Sequence, residues 1–402
     1  MGGIALNAGR RYAFDRQTDR QTDRQTDRQT DRQTDRQTDR NVYLDIVKYV
    51  AIFLVIWGHV VQQSLAPGVV PLKADGIYRF IYSFHMPLFM GISGYFFGKS
   101  ILKIKDPLIY VKEKLKKRVL GLVIPMLAFG FLKFIVNIGW GYHPSWLTIF
   151  HEAIGIWFLG VLLINTLIVL GVTFLCNGIF MHDWKYFLIG MIFTVISKME
   201  YGFYYGPFMY VYFVSGYFIA IYITHDQICK SAHYWKTALL GFIVVYWIYN
   251  NLPWPLGGIG SGWYSSNPIH LLIIALLRLI LGFWGSYLCL MLVSVILPYI
   301  RSLQIFREVS QAGRYTLDIY LLQILLVEMI WGPCYRRIVD RVGFNYIQQN
   351  GVLFEIVISF LVAVVFLHVI ILISKLLNYS SVCSKLLFYR DRSHMFRGRN
   401  DI

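Results

Sequence analysis

The chain has 402 residues, of which 56% are hydrophobic, 17% aromatic and only 15% charged, and its formal net charge at pH 7 is +16. Soluble domains are roughly 45–50% apolar and about 25% charged, so a water-soluble globule could not bury this much apolar surface. A disordered chain, a fibre and a secreted disulfide scaffold are excluded as well. The composition predicts a polytopic membrane protein, whose positive charge indicates loops facing anionic lipid rather than nucleic acid.

The N-terminal residues differ in character from the rest of the chain. Residues 15–38 are six copies of Asp-Arg-Gln-Thr, and Asp39-Arg40 begins a seventh. This polar repeat has no apolar period, so residues 1–40 are predicted to form a disordered tail. The tail also lacks the apolar run of a secretory signal peptide, so no cleavable signal is predicted.

The remaining chain contains about ten apolar segments of membrane-spanning length, which is ~20 residues for a helix. The segments are 43–61, 78–98, 119–140, 154–176, 186–199, 203–223, 237–250, 269–297, 316–333 and 352–374. No strand-like alternation persists along them. The predicted fold class is therefore an all-α polytopic membrane protein with about ten transmembrane helices, formed by residues 41–375 and followed by a basic tail at 376–402.

Lysine and arginine in the connections predict the orientation, because cytoplasmic loops are enriched in both. Segments 99–118, 299–315 and 375–402 are basic, which places them and both chain termini in the cytoplasm. Segment 99–118 could form an amphipathic helix on the membrane surface. Connections 141–153 and 251–268 contain neither lysine nor arginine and are predicted to lie outside.

One connection disagrees with this orientation. Segment 334–351 should lie outside, yet it contains Arg336, Arg337 and Arg341. Either the count of spans is wrong nearby, or this basic segment faces an anionic substrate.

A polar stripe follows the first predicted span. Asp45, Lys48 and His59 recur at helical spacing, and His59 lies ~21 Å further along the helix than Asp45, at 1.5 Å per residue. Polar groups are costly against lipid, so this stripe should face a cavity or another helix. An imidazole in such a place can act as a general base near neutral pH, and the alternative is a structural hydrogen bond at the interface.

A second polar group interrupts the span that follows. Residues 83–95 contain His85, Pro87, Gly91 and Gly94. Pro87 removes one helical hydrogen bond, and the glycines allow another backbone to approach closely. A buried His85 needs a hydrogen-bond partner, although a kinked helix with glycines is also what packing alone can produce.

Together these two segments resemble the membrane-bound acyltransferase family 3, including its fucose-4-O-acetylase-like members. The opening pattern of that family is present as Arg40, Leu44, Asp45, Lys48 and His59. Its second pattern, an aromatic-His-Met-Pro-Leu-Phe run that ends in Ser-Gly-Tyr, is present at 84–95. Weaker matches are Lys117-Arg118 with Pro125, Trp157-Phe158-Leu159, and the run from Gly313 to Tyr320, whereas Gln323 stands where many members have a histidine.

The resemblance, which covers about residues 40–375, implies a multi-pass acyltransferase of the bacterial inner membrane. Such an enzyme moves an acetyl or other small acyl group from acyl-CoA, here expected to be acetyl-CoA, to a hydroxyl of a surface carbohydrate or its lipid-linked precursor. The catalytic candidates are His59 and His85, and His59 would either deprotonate the hydroxyl or carry the acyl group transiently. Donor-binding or structural roles are expected for Asp45, Lys48, Lys117, Arg118 and Arg314.

Within that resemblance, Lys117 and Arg118 are the first candidates for binding the phosphates of coenzyme A, and the alternative for either residue is an ordinary basic loop on the cytoplasmic side. The aromatic connection 251–268 could stack on a sugar or form an interfacial aromatic belt. Arg314 and Asp318 are four residues apart and could pair across one helical turn. Glu328 is a weaker candidate. It is considered because ionisable groups inside a membrane usually have a functional role.

The five cysteines are odd in number and widely spaced, so neither a disulfide framework nor a metal site is predicted. Two other functions remain open. A transporter of an acyl group or sugar intermediate would suit many spans with buried charges, but the halves show no internal repeat of the histidine-bearing segments. A non-catalytic partner in glycan assembly would not require His59.

The repeat at 15–38 has a possible origin in the DNA, which gives a first prediction. Three copies of the tetranucleotide GACA encode Asp-Arg-Gln-Thr, so slippage by one or two units would shift the frame and switch expression off. The gene should therefore show uninterrupted GACA units across the repeat, and sequencing it checks this. Mixed synonymous codons among the copies would contradict the slippage origin and favour a functional tail.

Overall fold

The computed structural model describes residues 42–64, 76–102, 107–175, 188, 191–192, 206–223, 231–252, 267–300, 309, 312–313, 315–342 and 354–390. These residues are helical or lie in turns, without a β-strand among them. The chain divides after Leu44 into two units, and the first is described only at Val42–Leu44, which are helical. All contacts given below lie within the second unit, Asp45–Ile402.

The α-helices follow each other along the chain with short connections in the described regions. In order they are α1 (Val42–Ser64), α2 (Gly76–Leu102), α3 (Pro107–Gly139), α4 (Leu147–Ile154), α5 (Trp157–Leu175), α6 (Gly206–Tyr222), α7 (Trp235–Asn250), α8 (Pro268–Ile300), α9 (Thr316–Gln323), α10 (Gly332–Val342), α11 (Ser359–Tyr379) and α12 (Ser381–Phe388). A π-helical stretch, Ile324–Trp331, joins α9 to α10 and is called the π-segment below. A second π-helical stretch, Phe354–Ile358, leads into α11.

Five of the described helical segments are long and apolar enough to cross a membrane, and a sixth results if the bent pair α4–α5 counts as one span. Every predicted span except 186–199 coincides with a described helix, and 186–199 lies largely outside the described residues. The number of ten transmembrane helices and the cytoplasmic termini stay predictions. The repeat tail at 1–40 also lies outside the described residues.

The basic segment 99–118 does not form a helix of its own from Pro107 onward. Residues 107–118 are the first turns of α3, which continues without a break to Gly139. The apolar part of that helix begins at Leu115. The lysines that precede it therefore extend one spanning helix beyond its apolar length, rather than forming a separate helix along the surface.

Helix α1 is the most enclosed of the spanning helices. Two thirds of its membrane-length window are buried, against 22–56% for the other four long spans. Its stretch from Asp45 onward lies beside the segment 313–332, since a side chain at Gly313 would meet the Asp45 backbone and one at Gly332 would meet the Gln63 side chain. Because these contacts occur in the same order along both segments, α1 runs parallel to α9, the π-segment and the start of α10.

Helix α2 lies antiparallel to α1 and packs most extensively against α6. Gly94 faces the carbonyl of Phe213, and Gly216 faces the carbonyl of Gly91, so a methyl group at either glycine would collide with the opposite backbone. The close approach predicted for Gly91 and Gly94 is thus present, and its partner is α6. Backbone contact of this kind is the usual means of holding helices together in lipid.

Replacing Gly94 with alanine should destabilise the protein, because the obstructing atoms are backbone atoms and cannot rotate away. Overpacking typically costs ~1–3 kcal/mol. The thermal unfolding midpoint of the detergent-solubilised protein measures the effect. The matched control is Gly171→Ala on α5, where a methyl group meets nothing within 4 Å and helix propensity favours alanine. Equal midpoints for Gly94→Ala and the control would contradict the packing described here.

Candidate active site

His59, near the end of α1, faces a carboxylate from the π-segment. Its Nδ1 lies 3.2 Å from Glu328 Oε1, and both side chains are only partly exposed, at 18% and 29%. The two atoms are within ion-pair distance, but the angle at the imidazole falls short of an aligned hydrogen bond. A carboxylate in this position can orient the imidazole and stabilise its protonated form, while Nε2 stays available for chemistry.

Tyr82 on α2 contacts the same histidine edge-on, with 6.3 Å between ring centroids. Gly58 makes room for it, because a side chain at position 58 would collide with the Tyr82 ring. The Tyr82 hydroxyl donates a 3.0 Å hydrogen bond to Gln62 Oε1, and its ring stacks on Tyr78 at 4.0 Å. These contacts hold Tyr82 beside His59 on a rigid part of α2.

His85 lies one turn further along α2 and is almost fully buried. Its hydrogen-bond partner is the Ile81 carbonyl of the same helix, 2.7 Å from Nδ1. Since a carbonyl can only accept, Nδ1 of His85 carries the hydrogen. Its ring also meets Tyr82 edge-on at 4.7 Å, so both candidate histidines contact one tyrosine.

The π-segment that carries Glu328 is held from outside its own helix. Trp140, which follows α3, donates from its indole Nε1 to the carbonyl of Met329 at 2.8 Å. The Arg337 guanidinium lies 4.6 Å above the Trp140 ring. π-helical turns inside α-helices are often found at functional sites, and this one places Glu328 towards α1.

The polar groups at the opposite end of α1 form a separate cluster. Asp45 and Lys48 are paired at 2.8 Å, and Lys48 Nζ lies 4.8 Å from the centre of the Phe96 ring on α2. Because ~21 Å of α1 separates Asp45 from His59, at 1.5 Å per residue, Asp45 does not touch the His59 site. The stripe predicted on α1 is therefore two sites, one at each end.

Arg118 of α3 lies at the Asp45 end and borders a cavity. It donates to Ser100 Oγ at 2.8 Å and stacks over the Phe97 ring at 4.7 Å. The cavity beside it has a volume of about 310 Å³ and is lined chiefly by apolar residues, with Ser93 and Thr166 as polar members. Lys117, the adjacent candidate, is exposed.

A second cavity, of about 160 Å³, continues from the first towards the His59 end. The two share Ser93, Leu122 and Leu162 in their walls. The second reaches Met86, next to His85, and Tyr320 of α9. The two cavities thus extend from Arg118 at the Asp45 end as far as Met86 and Tyr320.

Asp318 is fully buried and has partners that the sequence did not indicate. Its Oδ2 accepts hydrogen bonds from Ser374 at 3.3 Å, from Asn378 at 2.7 Å and from Arg390 at 2.9 Å. Arg390, from the basic tail, therefore supplies the counterion. Arg314 lies outside the described residues, so its pairing with Asp318 stays a prediction. The loop 251–268 likewise lies almost entirely outside the described residues.

Three residues of the site were not identified from the sequence, namely Tyr82, Gln62 and Trp140. Tyr82 precedes His85 by three positions and thus shares its helix face, so helical spacing could have identified it. Gln62 follows His59 by three positions in the same way. Trp140 has no local signal, because it lies at the end of α3 and its partner Met329 is distant in sequence. No group of three potential metal ligands occurs among the residues the structure describes.

The sequence resembles a known protein family and two curated proteins. The sequence pattern of a family described as an acyltransferase domain matches residues 41–375. The nodulation protein NolL of Mesorhizobium japonicum is 36% identical over 83 residues, 21% of either chain. NolL of Sinorhizobium fredii is 34% identical over 87 residues, 22% of either chain. The matched region thus spans about a fifth of these curated relatives, and no solved structure matches the chain.

Removing the Arg390 charge should destabilise the protein by up to ~3 kcal/mol, because Arg390→Gln leaves the Asp318 carboxylate buried without a counterion. The value of ~3 kcal/mol is the low end of the range for breaking a buried ion pair, because the Arg390 side chain is itself partly exposed. Thermal unfolding in detergent measures the loss, with the exposed Lys375→Gln as control. Adding Asp318→Asn to Arg390→Gln should recover part of the stability. No recovery would show that Arg390 acts through packing and not through the charge pair.

Proposed function

The chain belongs to the family of acyltransferase domains that matches residues 41–375, and from this premise we propose that it is an integral-membrane O-acyltransferase. It moves an acetyl or other small acyl group from acyl-CoA to a hydroxyl of a bacterial surface carbohydrate. The proposed donor is acetyl-CoA, and the proposed location is the inner membrane. The observation that carries the proposal is the His59–Glu328 pair, which lies within a bundle of membrane-length helices.

His59 is the proposed general base. Its Nδ1 faces Glu328, so Nε2 accepts the proton of the sugar hydroxyl as the oxygen attacks the thioester carbonyl of the donor. The C–S bond of the resulting tetrahedral intermediate then breaks, and the thiolate leaves with the coenzyme, to be protonated by the imidazolium. Glu328 favours this sequence because a carboxylate beside the ring stabilises the charge that His59 acquires.

His85 is assigned a supporting role in the same catalytic set. Its ring is almost fully buried and its Nδ1 is occupied by Ile81, so it is less suited than His59 to meet a substrate directly. Through its contact with Tyr82 it helps to fix the tyrosine that borders His59. Both histidines therefore belong to the proposed site, one at the reacting atoms and one behind them.

The donor is proposed to enter at the Asp45 end. Arg118 lies at the cavity there and presents a guanidinium, which binds phosphate oxygens in pairs. The apolar cavities suit the uncharged arm that connects the coenzyme phosphates to the thioester, and they extend as far as Met86 and Tyr320. Lys117 and Arg314 are proposed as further donor-side cations, and the Asp45–Lys48 pair as a structural element of that end.

We further propose that expression of this enzyme is phase-variable through the repeat at 15–38. An enzyme that alters a surface carbohydrate changes what is exposed to the surroundings, so reversible loss of its reading frame would vary the surface between cells.

Replacing His59 with alanine should lower acyl transfer by about 10²-fold or more, the range expected when a general base is removed. Glu328→Gln should reduce it less, because the amide keeps the shape but loses the charge. Mass spectrometry of the cell-surface glycans detects the transfer as acetyl mass increments, in strains with the repeat locked in frame. The control is His368→Ala, which removes an exposed histidine that bonds only within its own helix.

Equal amounts of each variant in the membrane must be confirmed. Acetyl increments that persist in His59→Ala but vanish in a deletion strain would contradict the catalytic assignment and favour transport or assembly. Increments that persist in the deletion strain would contradict the proposed function as a whole.

A further inference from the structure

Helix α10 presents a basic surface at the His59 end of the bundle. It begins directly after the π-segment, where Gly332 lies against Gln63 of α1. It carries three exposed arginines and one exposed acid, which are Arg336, Arg337, Arg341 and Asp340. This is the basic segment that conflicts with the orientation predicted from the other connections, and an anionic ligand would account for its charge.

Arg337 is held in place by its neighbours. Its guanidinium lies over the Trp140 ring at 4.6 Å, and Trp140 is itself fixed by its hydrogen bond to Met329. Stacking on an aromatic face leaves the N–H groups of an arginine free for a ligand, and these form a planar fork that matches two phosphate oxygens. Arg336, by contrast, turns back to the Gly332 carbonyl of its own helix, at 3.3 Å.

Arg337 and Arg341 are four residues apart and therefore lie on one face of α10. Like charges at this spacing repel each other, so the pair favours a bound anion between them. Asp340 is four residues from Arg336 and three from Arg337, so it offsets part of the charge of both and leaves the face with a net positive charge. Ile338, which is 52% exposed, places an apolar side chain beside the arginines. The face thus combines two cations with apolar surface, as an amphiphilic anion would require.

We propose that Arg337 and Arg341 bind the phosphate of a lipid-linked carbohydrate acceptor and thereby present its sugar to His59. The proposal rests on the proposed function and names the acceptor class. The phosphates of the donor do not account for this surface, because Arg118 lies at the other end of α1. Nine residues separate Glu328 from Arg337, about 14 Å along an ideal helix, which leaves room for a sugar between the phosphate and the reacting hydroxyl.

Binding of farnesyl diphosphate to the purified full-length protein tests the site directly. Native mass spectrometry gives the dissociation constant, and farnesol and phosphatidylglycerol serve as the uncharged and ordinary-lipid comparisons. The double variant Arg337→Gln/Arg341→Gln should bind farnesyl diphosphate about tenfold more weakly or worse, the effect expected from losing charge-assisted hydrogen bonds to phosphate. Arg336→Gln removes the same charge from the same helix and should change binding less than about twofold.

Two outcomes overturn the proposal. Equal weakening by Arg336→Gln and by the double variant would mean that general charge, and not the Arg337–Arg341 face, attracts the probe. Equally tight binding of phosphatidylglycerol would mean that the face captures ordinary lipid head groups. Unchanged thermal midpoints of the variants guard against misfolding.

The assay uses no acyl donor, so it separates this proposal from the proposed function. Selective binding of farnesyl diphosphate without acetyl transfer by the wild type would sustain the site and contradict the activity. Acetyl transfer that depends on His59, with no selective binding, would sustain the activity and contradict the phosphate site.

Discussion

The parallel contact between α1 and the segment 313–332 is the constraint on which the site depends. A histidine and a glutamate each carry a high cost in the apolar interior of a membrane bundle, and that cost is reduced when they face each other. His59 and Glu328 meet because Gly313 and Gly332 let the two segments approach above and below them. The π-segment between these glycines sets the direction of the Glu328 side chain, and Trp140 holds that segment through the Met329 carbonyl.

Glycines also allow close helix packing on the other side of α1. Gly58 admits the ring of Tyr82, and Gly94 and Gly216 bring α2 against α6. In lipid, apolar side chains gain little from leaving their surroundings, so close van der Waals contact and hydrogen bonds hold the helices together. The result is that α2 is fixed between α1 and α6, and both His85 and Tyr82 are fixed with it. The packing of α2 against α1 and α6 thus also positions Tyr82 beside His59.

Charge is divided between the two ends of the bundle. Lys48 and Arg118 lie at the end where the cavities begin, and the α10 arginines lie at the end with His59. The apolar cavities that share Ser93, Leu122 and Leu162 begin beside Arg118 and extend along the bundle as far as Met86 and Tyr320. Basic side chains therefore lie at both ends of the bundle, and the cavities begin at the end opposite His59.

The sequence alone determined the all-helical class and the positions of most helices, and it predicted His59 and His85 as site candidates, because apolar length and helical spacing are local properties. It also indicated Gly91 and Gly94 as points of close approach. Only the tertiary structure decided that Glu328 is the partner of His59, that Tyr82 and Trp140 support them, and that Asp318 takes its counterion from Arg390. Each of these pairs joins segments that are far apart in the chain, and which segments become neighbours depends on how the helix faces pack. Spacing within one helix reports which residues share a face, but it does not report what that face will meet.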